Sequence, residues 1–478
     1  MRLGALLDGL DHEVLAGSLD VDVTAAVLDS RRVGAGDLFC CVPGGVTDGH
    51  RFAGAAVAAG AVALLVERDP ALDDEVGPGP SVVRVPSVRQ AMGPVAARLA
   101  GEPSRRLAVV GITGTNGKTT TAELVRTVLT AAGRRTEVIG TLTGERTTPE
   151  AVDLQPALAA AADRGAEVVA LEVSSHALDQ HRVDGTRFAV AVFTNLSRDH
   201  LDYHGSMEAY FRAKARLFTP DLTDRAVVDV DDPHGRLLLD AAEVPTSGCS
   251  LEEAEGLRLD ADGARFTWRG HPVALALPGR FNVANALCAA HVALALGVDE
   301  ATVAAGLSRP VAVAGRMERV DGGQPFTVLV DFAHTPDGLE QVLVAADELG
   351  DGGRVHVVFG CGGDRDVTKR PAMGAVAAAG ADRVVLTADN SRHEDTGAIL
   401  DQIRAGVDHA EHRRATEVVV EPDRRRAIAL ALAGAGPGDV VVVAGKGHET
   451  TQTIGEATVA FDDRQVVLDE LGRRGAER

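Results

Sequence analysis

The chain has 478 residues, too many for one ordinary hydrophobic core, and at 45% hydrophobic and 24% charged its composition excludes a disordered protein. A formal net charge of −21 excludes broad electrostatic attraction to DNA, RNA or anionic lipid, so an anionic ligand has to be met by local clusters of Arg, Lys, backbone N–H groups or metal ions. Five scattered cysteines (Cys40, Cys41, Cys249, Cys288, Cys361) lack zinc-ligand spacing and argue for a reducing compartment without a disulfide framework.

Met1–Leu10 carries one Arg and an apolar stretch broken by Asp8, which is not a secretory leader. No run of roughly 18 strongly apolar residues marks a membrane span. A cytoplasmic protein with no membrane or nucleic-acid partner is expected. β-branched runs alternate with Ala/Leu-rich helical stretches, the pattern of an α/β protein. Three regions are expected, 1–102, 103–310 and 311–478. The first join is the polar Gly101-Glu102-Pro103-Ser104 after a helix over Ala91–Ala100; the second is Ser308-Arg309-Pro310, after helices over Ala284–Leu296 and Ala301–Leu307. In the last region strands are predicted at Thr327–Val330, Val355–Phe359, Arg383–Thr387 and Val440–Ala444.

The second region opens with a strand, Leu107–Ile112, and a turn, Thr113-Gly114-Thr115-Asn116-Gly117-Lys118-Thr119-Thr120, ahead of a helix over Ala122–Leu129. Strand, glycine-rich turn ending Gly-Lys-Thr, and helix form the context of a phosphate-binding loop. Its N–H groups and the helix N-terminus would cradle phosphate oxygens, Lys118 would reach the β/γ-phosphates and the Thr119 hydroxyl would ligate Mg²⁺. The pattern wants Gly six residues before the Lys, where Ile112 stands; Gly111 and Gly114 are expected to do related work. A ligand-free strand–helix turn is the bland alternative.

Strand Glu167–Leu171 is followed by Glu172, and strand Phe188–Phe193 by Thr194-Asn195-Leu196-Ser197-Arg198-Asp199-His200. Residues just beyond strand carboxyl ends face the ligand crevice of an open α/β sheet, so Glu172 and His200 are candidates for the phosphate site. Either alone is more often a cap or a surface residue, but two such residues on successive strands beyond a phosphate loop point to the site. A helix over Ser206–Phe218 then places Lys214 beside its apolar face, where a snorkelling side chain is the simpler reading.

Taken together these blocks resemble the Mur ligase family, and within it the branch that adds the third residue of the peptidoglycan stem peptide. The resemblance also rests on Asp29-Ser30-Arg31, Asp48-Gly49-His50, Thr147-Thr148-Pro149-Glu150, Gly279–Asn285, Gly315-Arg316-Met317-Glu318, Asp331–Asp337, Phe359–Asp366, Asp389-Asn390-Ser391-Arg392 and Ala444–Glu449. It implies an α/β, three-domain Mur ligase architecture: a uridine-nucleotide domain, a central P-loop ATPase on a parallel sheet, and a Rossmann-like C-terminal domain. It implies an ATP- and Mg²⁺-dependent ligase, expected to be monomeric, that activates a carboxylate of UDP-N-acetylmuramoyl-dipeptide as an acyl phosphate and joins it to meso-diaminopimelate. By the same resemblance Ser30 and His50 lie on the uridine side. Thr147, Thr148, Ser174, Gln180 and Arg182 meet the acceptor's sugar and peptide. ATP is met by Gly114 to Thr120, with Asn285, Arg316 and Asp331 at the adenine, phosphate and ribose. Arg370, Asp389, Asn390, Arg392, Gly445 and Glu449 read the amino acid, Arg392 gripping a distal carboxylate. Thr119, Glu172, His200 and Lys214 surround metal, Lys214 as a carbamate formed with CO₂, and Lys118, Lys214, His200 and Arg316 act in catalysis.

Three departures stand out: Arg146 where Asn precedes the Thr-Thr pair, Phe332 where Tyr follows the Asp, and Ser391 where Pro precedes the Arg. Loss of that Pro is expected to loosen the loop, and Arg146 is expected beside the acceptor's peptide. Arg392 pairing with Glu394 or Asp395 at the surface is the alternative to a reader of substrate. Rival readings are a paralogue acting on another carboxylate or amino acid, a folate-type glutamate ligase, and a P-loop ATP-binding module without ligation.

Overall fold

A computed structural model describes residues 1–45, 47–70, 79–350 and 352–476, in which three α/β bodies follow one another along the chain. In the first, strands β1 (Glu13–Ala16), β2 (Ala26–Val27), β3 (Leu38–Cys40), β4 (Ala63–Val66) and β5 (Ser81–Arg84) lie in the order β1-β5-β4-β3-β2, with only β1 antiparallel. β3 and β4 are buried along their whole length, as expected of parallel strands covered on both faces. Helix Val88–Leu99 closes this body, its first turn capped by Ser87, and packs on helix Ala151–Asp163 of the second body. All five cysteines are free and buried.

The second body is built on six parallel strands, β6 (Ala108–Thr113), β7 (Thr136–Ile139), β8 (Val168–Glu172), β9 (Phe188–Phe193), β10 (Ala226–Asp229) and β11 (Thr246–Cys249), in the order β11-β10-β9-β6-β8-β7. The chain leaves β6 toward β7 and β8 and returns to β9 on the other side. The crevice at the carboxyl ends of β6 and β9 is therefore the switch point, where such sheets bind ligands. The helix after β6 packs against helices Arg280–Ala295 and Glu300–Leu307, closely enough that a Cβ on Gly306 would come within 2.9 Å of Val128 Cα. A meander of β12 (Glu255–Asp260), β13 (Gly263–Trp268) and β14 (His271–Leu275) covers their far side. The buried Trp268 donates its indole N–H to Glu253 at 3.1 Å, and the same carboxylate meets His291 Nε2 at 2.9 Å, pinning the meander to the sheet's helices. Val311 and Val313 still belong to this apolar core.

The third body carries β15 (Glu318–Arg319), β16 (Thr327–Asp331), β17 (Val355–Phe359), β18 (Arg383–Leu386), β19 (Glu417–Val420) and β20 (Val440–Ala444) in the order β15-β16-β20-β17-β18-β19. Apart from the antiparallel edge strand β15 the sheet is parallel, as a Rossmann-like domain requires, with β20 inserted between β16 and β17. Hairpin β21 (Thr451–Ile454) and β22 (Ala457–Ala460) follows. No helix among the described residues is long and apolar enough to cross a membrane.

Strands predicted in the second and third regions form within a residue or two of the expected ends. The helices begin earlier than apolar periodicity suggests, at Lys118 and Arg280, because Gly117 and Gly279, both at positive φ, let the turn run straight into the helix. The helix expected over Ser206–Phe218 is α-helical only over Met207–Ala215; its last turn tightens to 3₁₀ at Arg216–Phe218.

Candidate active site

The phosphate loop is shaped by what its glycines lack. Gly114 has φ +152, and a Cβ there would stand 1.9 Å from Thr194 Oγ1; at Gly117, φ +87, one would stand 2.3 Å from Asn285 Oδ1. Gly111, by contrast, lies inside β6 and makes room for the Phe188 ring, 2.6 Å from where its Cβ would be. The expectation that Gly111 serves the loop is therefore corrected: it is a packing residue, and Ile112 beside it is fully buried strand. Asn195 frames the loop from β9, accepting from Asn116 N–H through Oδ1 and from Thr115 N–H through its carbonyl, both at 2.9 Å.

Lys118 folds back to donate to the carbonyls of Gly114 (2.9 Å) and Thr115 (2.8 Å). Burial pushes its pKa down, with Glu172 acting the other way. Lys214, 1% exposed, donates to the same Gly114 carbonyl at 2.7 Å and stands 4.6 Å from the Tyr210 ring centre. Among the described residues it has no carboxylate partner within ion-pair distance. Burial and the neighbouring Lys118 hold its pKa well below the ordinary ammonium range. The Thr119 hydroxyl donates to Glu172 Oε2 at 2.9 Å; Thr141 adds its N–H to Oε1 (2.8 Å) and its hydroxyl to Oε2 (3.1 Å). His200, at φ +54, turns its ring toward Asp199 (3.3 Å) and His176 (centroids 4.8 Å). Burial holds its pKa down to about 3 against the pull of Asp199, leaving a neutral imidazole.

One cleft of about 380 Å³ brings Lys118, Thr119, Glu172 and His200 to the third body, while Lys214 lies buried behind the loop and does not line it. Its walls include Lys118, Thr119, Glu172 and His200 on one side and Arg316, Asp389, Asn390, Arg392, Gly445 and Glu449 on the other. Arg316 donates to the Thr119 hydroxyl at 3.3 Å and lies 4.8 Å from the Phe332 ring centre, so Phe in place of Tyr keeps the aromatic support and gives up only a hydroxyl. Asn390 is held by Glu449 (2.8 Å) and Thr453 N–H (2.9 Å), and Glu449 in turn by the buried Lys446 (2.9 Å). Arg392 donates to the Gly363 carbonyl at 2.6 Å and, among the described residues, has no ion-pair partner; Glu394 belongs instead to Arg370. At Ser391, where loosening is expected, the loop makes bonds to its neighbours. The serine is 1% exposed and its Oγ meets Thr396 Oγ1 at 2.8 Å, while Arg392 N–H donates to Thr453 O at 3.1 Å, so side-chain and backbone bonds replace the lost ring.

The residues expected on the acceptor side gather around Thr148, whose hydroxyl donates to the Glu172 carbonyl (2.8 Å) and accepts from Ser174 N–H (3.0 Å). Thr147 and Ser174 line the cleft. Arg182 ties Thr148 O (3.2 Å) to Gln180 (2.7 Å) and meets Glu150 at 3.1 Å. Arg146 pairs with that same carboxylate.

Not every predicted residue reaches the cleft. Arg370 is fully buried behind it, held bidentately by Glu394 at 2.9 Å on each oxygen, and braces the loop. Both Asp331 oxygens are taken at 2.7 Å by the N–H groups of Met317 and Ala333. His50 is buried with Nδ1 donating to Asp48 and Nε2 accepting from Glu67 N–H, and it and Ser30 lie in the first body away from the cleft. Asn285 instead lines a second cavity of about 530 Å³ that shares Asn116 and Gly117 with the first. Thr141, Asn195 and Asp337 went unread as site residues, although the last two stand in the blocks that carried the family likeness. Among the described residues no cluster of three or more His, Cys, Asp or Glu could by itself hold a metal ion. The Thr119 and Glu172 oxygens suit a hard cation that takes the rest of its shell from phosphates, with the His200 imidazole a less usual ligand and the Lys214 amine no ligand as it stands.

Three family models match the sequence: the Mur ligase family catalytic domain over residues 22–100, the Mur ligase middle domain over 112–293, and the Mur ligase glutamate ligase domain over 315–447. The UDP-N-acetylmuramoyl-L-alanyl-D-glutamate–2,6-diaminopimelate ligase of Syntrophomonas wolfei is 42% identical, with 98% of this chain and 99% of that one covered. The enzyme of the same name from Synechococcus sp. is 46% identical, with 97% of each covered. A solved structure of a ligase of that name superposes with TM-score 0.69 at 34% identity, covering 99% of both chains. MurF from Acinetobacter baumannii shares the fold at 20% identity and TM-score 0.62, covering 95% of this chain and 94% of that one.

Proposed function

The chain belongs to the Mur ligase family, and from that premise we infer that it is the ligase that adds meso-diaminopimelate to UDP-N-acetylmuramoyl-L-alanyl-D-glutamate in peptidoglycan precursor synthesis. One observation carries the reading beyond the names of relatives: the phosphate-loop pair Lys118–Thr119, the carboxylate Glu172, and Arg316, Asn390, Arg392 and Glu449 all face a single cleft. Triphosphate, acceptor carboxylate and incoming amine can meet there.

In this reading Lys118 exchanges its two carbonyl partners for phosphate oxygens, while the loop N–H groups and Arg316 hold the transferring phosphoryl group in line. An oxygen of the acceptor's glutamyl carboxylate forms a bond to the γ-phosphorus as the bond to ADP breaks. The amine then attacks the acyl carbon, loses a proton, and phosphate departs from the tetrahedral intermediate. Magnesium, when bound beside Thr119, Glu172 and His200, neutralises phosphate charge. A carbamate on Lys214 fits an amine that is buried and has no carboxylate partner among the described residues, since CO₂ would replace a desolvated cation by an anionic oxygen pair, the proton leaving to solvent. Arg392 supplies an unpaired fork for the distal carboxylate of diaminopimelate, and Glu449 with Asp389 supplies acceptors for its ammonium groups. The reading includes a monomeric cytoplasmic enzyme; five free, buried thiols agree with a reducing compartment.

Purified protein should release ADP and phosphate only when ATP, Mg²⁺, the UDP-linked dipeptide and diaminopimelate are all present. Equal turnover with lysine would remove the role of Arg392, and turnover without the nucleotide-sugar acceptor would favour an ATPase-only reading.

A further inference from the structure

We propose that Gln452 is a positioning residue for the choice of amino acid: its side-chain amide fixes the loop that presents Asn390 and Arg392 to the cleft. The proposal rests on the ligase reading above and concerns the same site. Gln452 is the one buried residue of strand β21, 6% exposed, while the outer strand β22 is exposed along its whole length. A buried amide has to place its N–H groups. Gln452 Nε2 donates to the carbonyls of Asp389 at 3.1 Å and Ala388 at 3.3 Å, on the stretch that follows β18. Arg424 shares the Ala388 carbonyl at 3.3 Å, but the bond to Asp389 belongs to Gln452. Gln452 itself does not line the cleft, whereas Asp389, Asn390 and Arg392 do.

The contacts continue in step along the hairpin. Thr453 N–H donates to Asn390 Oδ1 at 2.9 Å, and its carbonyl accepts from Arg392 N–H at 3.1 Å. Gly455 N–H donates to the Arg392 carbonyl at 2.6 Å, and Arg392 and Ile454 form a parallel bridge. Ala388 to Arg392 therefore lies beside β21 like a short third strand, with the Gln452 amide at its start. Arg392 has φ +49, a left-handed conformation unfavourable for a residue with a Cβ; it persists because its N–H and its carbonyl are both held. Without the Gln452 amide the first point of attachment is lost. The slack reaches the Asn390 amide and the Arg392 fork, and not the phosphate loop of the second body. In the ligase reading Arg392 grips the distal carboxylate, so slack there weakens the preference for diaminopimelate over lysine.

The test compares wild type with Gln452→Met, which keeps the length of the side chain without its donors, and with Gln452→Leu. Phosphate release gives kcat and the KM for diaminopimelate, ATP and the UDP-linked dipeptide, and kcat/KM for lysine. Each variant should raise the diaminopimelate KM about tenfold or more, as two lost hydrogen bonds imply. The KM values for ATP and dipeptide, and kcat at saturation, should stay within about twofold of wild type, the mark of lost binding to one substrate. The ratio of kcat/KM for diaminopimelate over lysine should narrow with it. An unchanged diaminopimelate KM overturns the proposal, and so do equal rises in all three KM values, which a general loosening of the domain would give. If the leucine variant does not fold, the methionine variant decides by the same criteria; if neither folds, Gln452 is a core brace and the proposal falls. A wild type that turns over no amino acid would sink the ligase reading itself, whereas normal wild-type turnover with unaffected variants sinks this proposal alone.

Discussion

Replacing Asp463 by Ala should make the third body easier to unfold and weaken its hold on the incoming amino acid. Arg424 and Asp463 are both wholly buried and paired bidentately, Nε to Oδ1 at 2.8 Å and Nη2 to Oδ2 at 2.7 Å. The same guanidinium donates to the carbonyls of Ala388 (3.3 Å) and Ala444 (2.9 Å), the residues before Asp389 and Gly445. Removing the carboxylate strands a buried cation, at a cost of about 3–5 kcal/mol. In a domain of this size each kcal/mol moves Tm by about 2–4 °C, so the corresponding transition should fall by roughly 6–20 °C. Calorimetry and urea titration read this directly, and the KM for diaminopimelate reads the loops. The double variant Arg424→Met, Asp463→Leu should recover most of the stability, because an apolar pair of similar volume avoids the desolvation cost. It should still show a raised amino-acid KM, since the Ala444 carbonyl loses its Arg424 donor and Ala388 keeps only the Gln452 amide at 3.3 Å. A loss below about 1 kcal/mol in Asp463→Ala would refute the energetic reasoning; an unchanged KM in the double variant would refute the link to the loops.

Gly114→Ala should cut turnover on the order of 100-fold, because its Cβ would have to share space with Thr194 Oγ1 and the displaced loop misplaces the phosphates; near-normal kcat/KM would show that the loop can yield. Lys214→Ala should lose orders of magnitude of activity and regain part of it with formate or acetate, and a variant that works unaided would end the carbamate reading. Burial, with Asp231 nearby, holds the Asp229 carboxyl up at about 7, from 3.8. A raised carboxylate pKa gives stability that is whole below about pH 4 and lost as pH climbs through 7. Asp229→Asn should therefore flatten unfolding free energy across that window and be the more stable protein at pH 8, by as much as about 4 kcal/mol; parallel pH curves for the two proteins would contradict this. Ser391→Ala removes the bond to Thr396 and should cost about 1 kcal/mol, with a higher amino-acid KM; proteolysis of the loop at an unchanged rate would count against it.

The elements that were legible are those with a periodic or chemically forced signature. β6, β8, β9, β16, β17 and β20 are apolar runs buried on both faces, and Gly114, Gly117 and Lys118 announce a phosphate loop by spacing alone. What could not be read is where a side chain spends its hydrogen bonds. Arg370 and Arg392 are both arginines in family-like blocks, yet one is consumed by Glu394 and the other faces the cleft, because Glu394 lies within reach of only the first. Gly111 looked like a loop glycine until Phe188, 77 residues later in the chain, was seen to fill its place. Ser391 carried the same lesson: the sequence records the missing proline but not Thr396, which ties the loop down.

Arg316 is the guanidinium that touches Thr119, and it belongs to a different body from the loop it serves. The charges around the loop are therefore drawn from two bodies, and a nucleotide there would meet the full set only with both in place. Any change in how those two bodies sit would reach the phosphate loop through this one guanidinium.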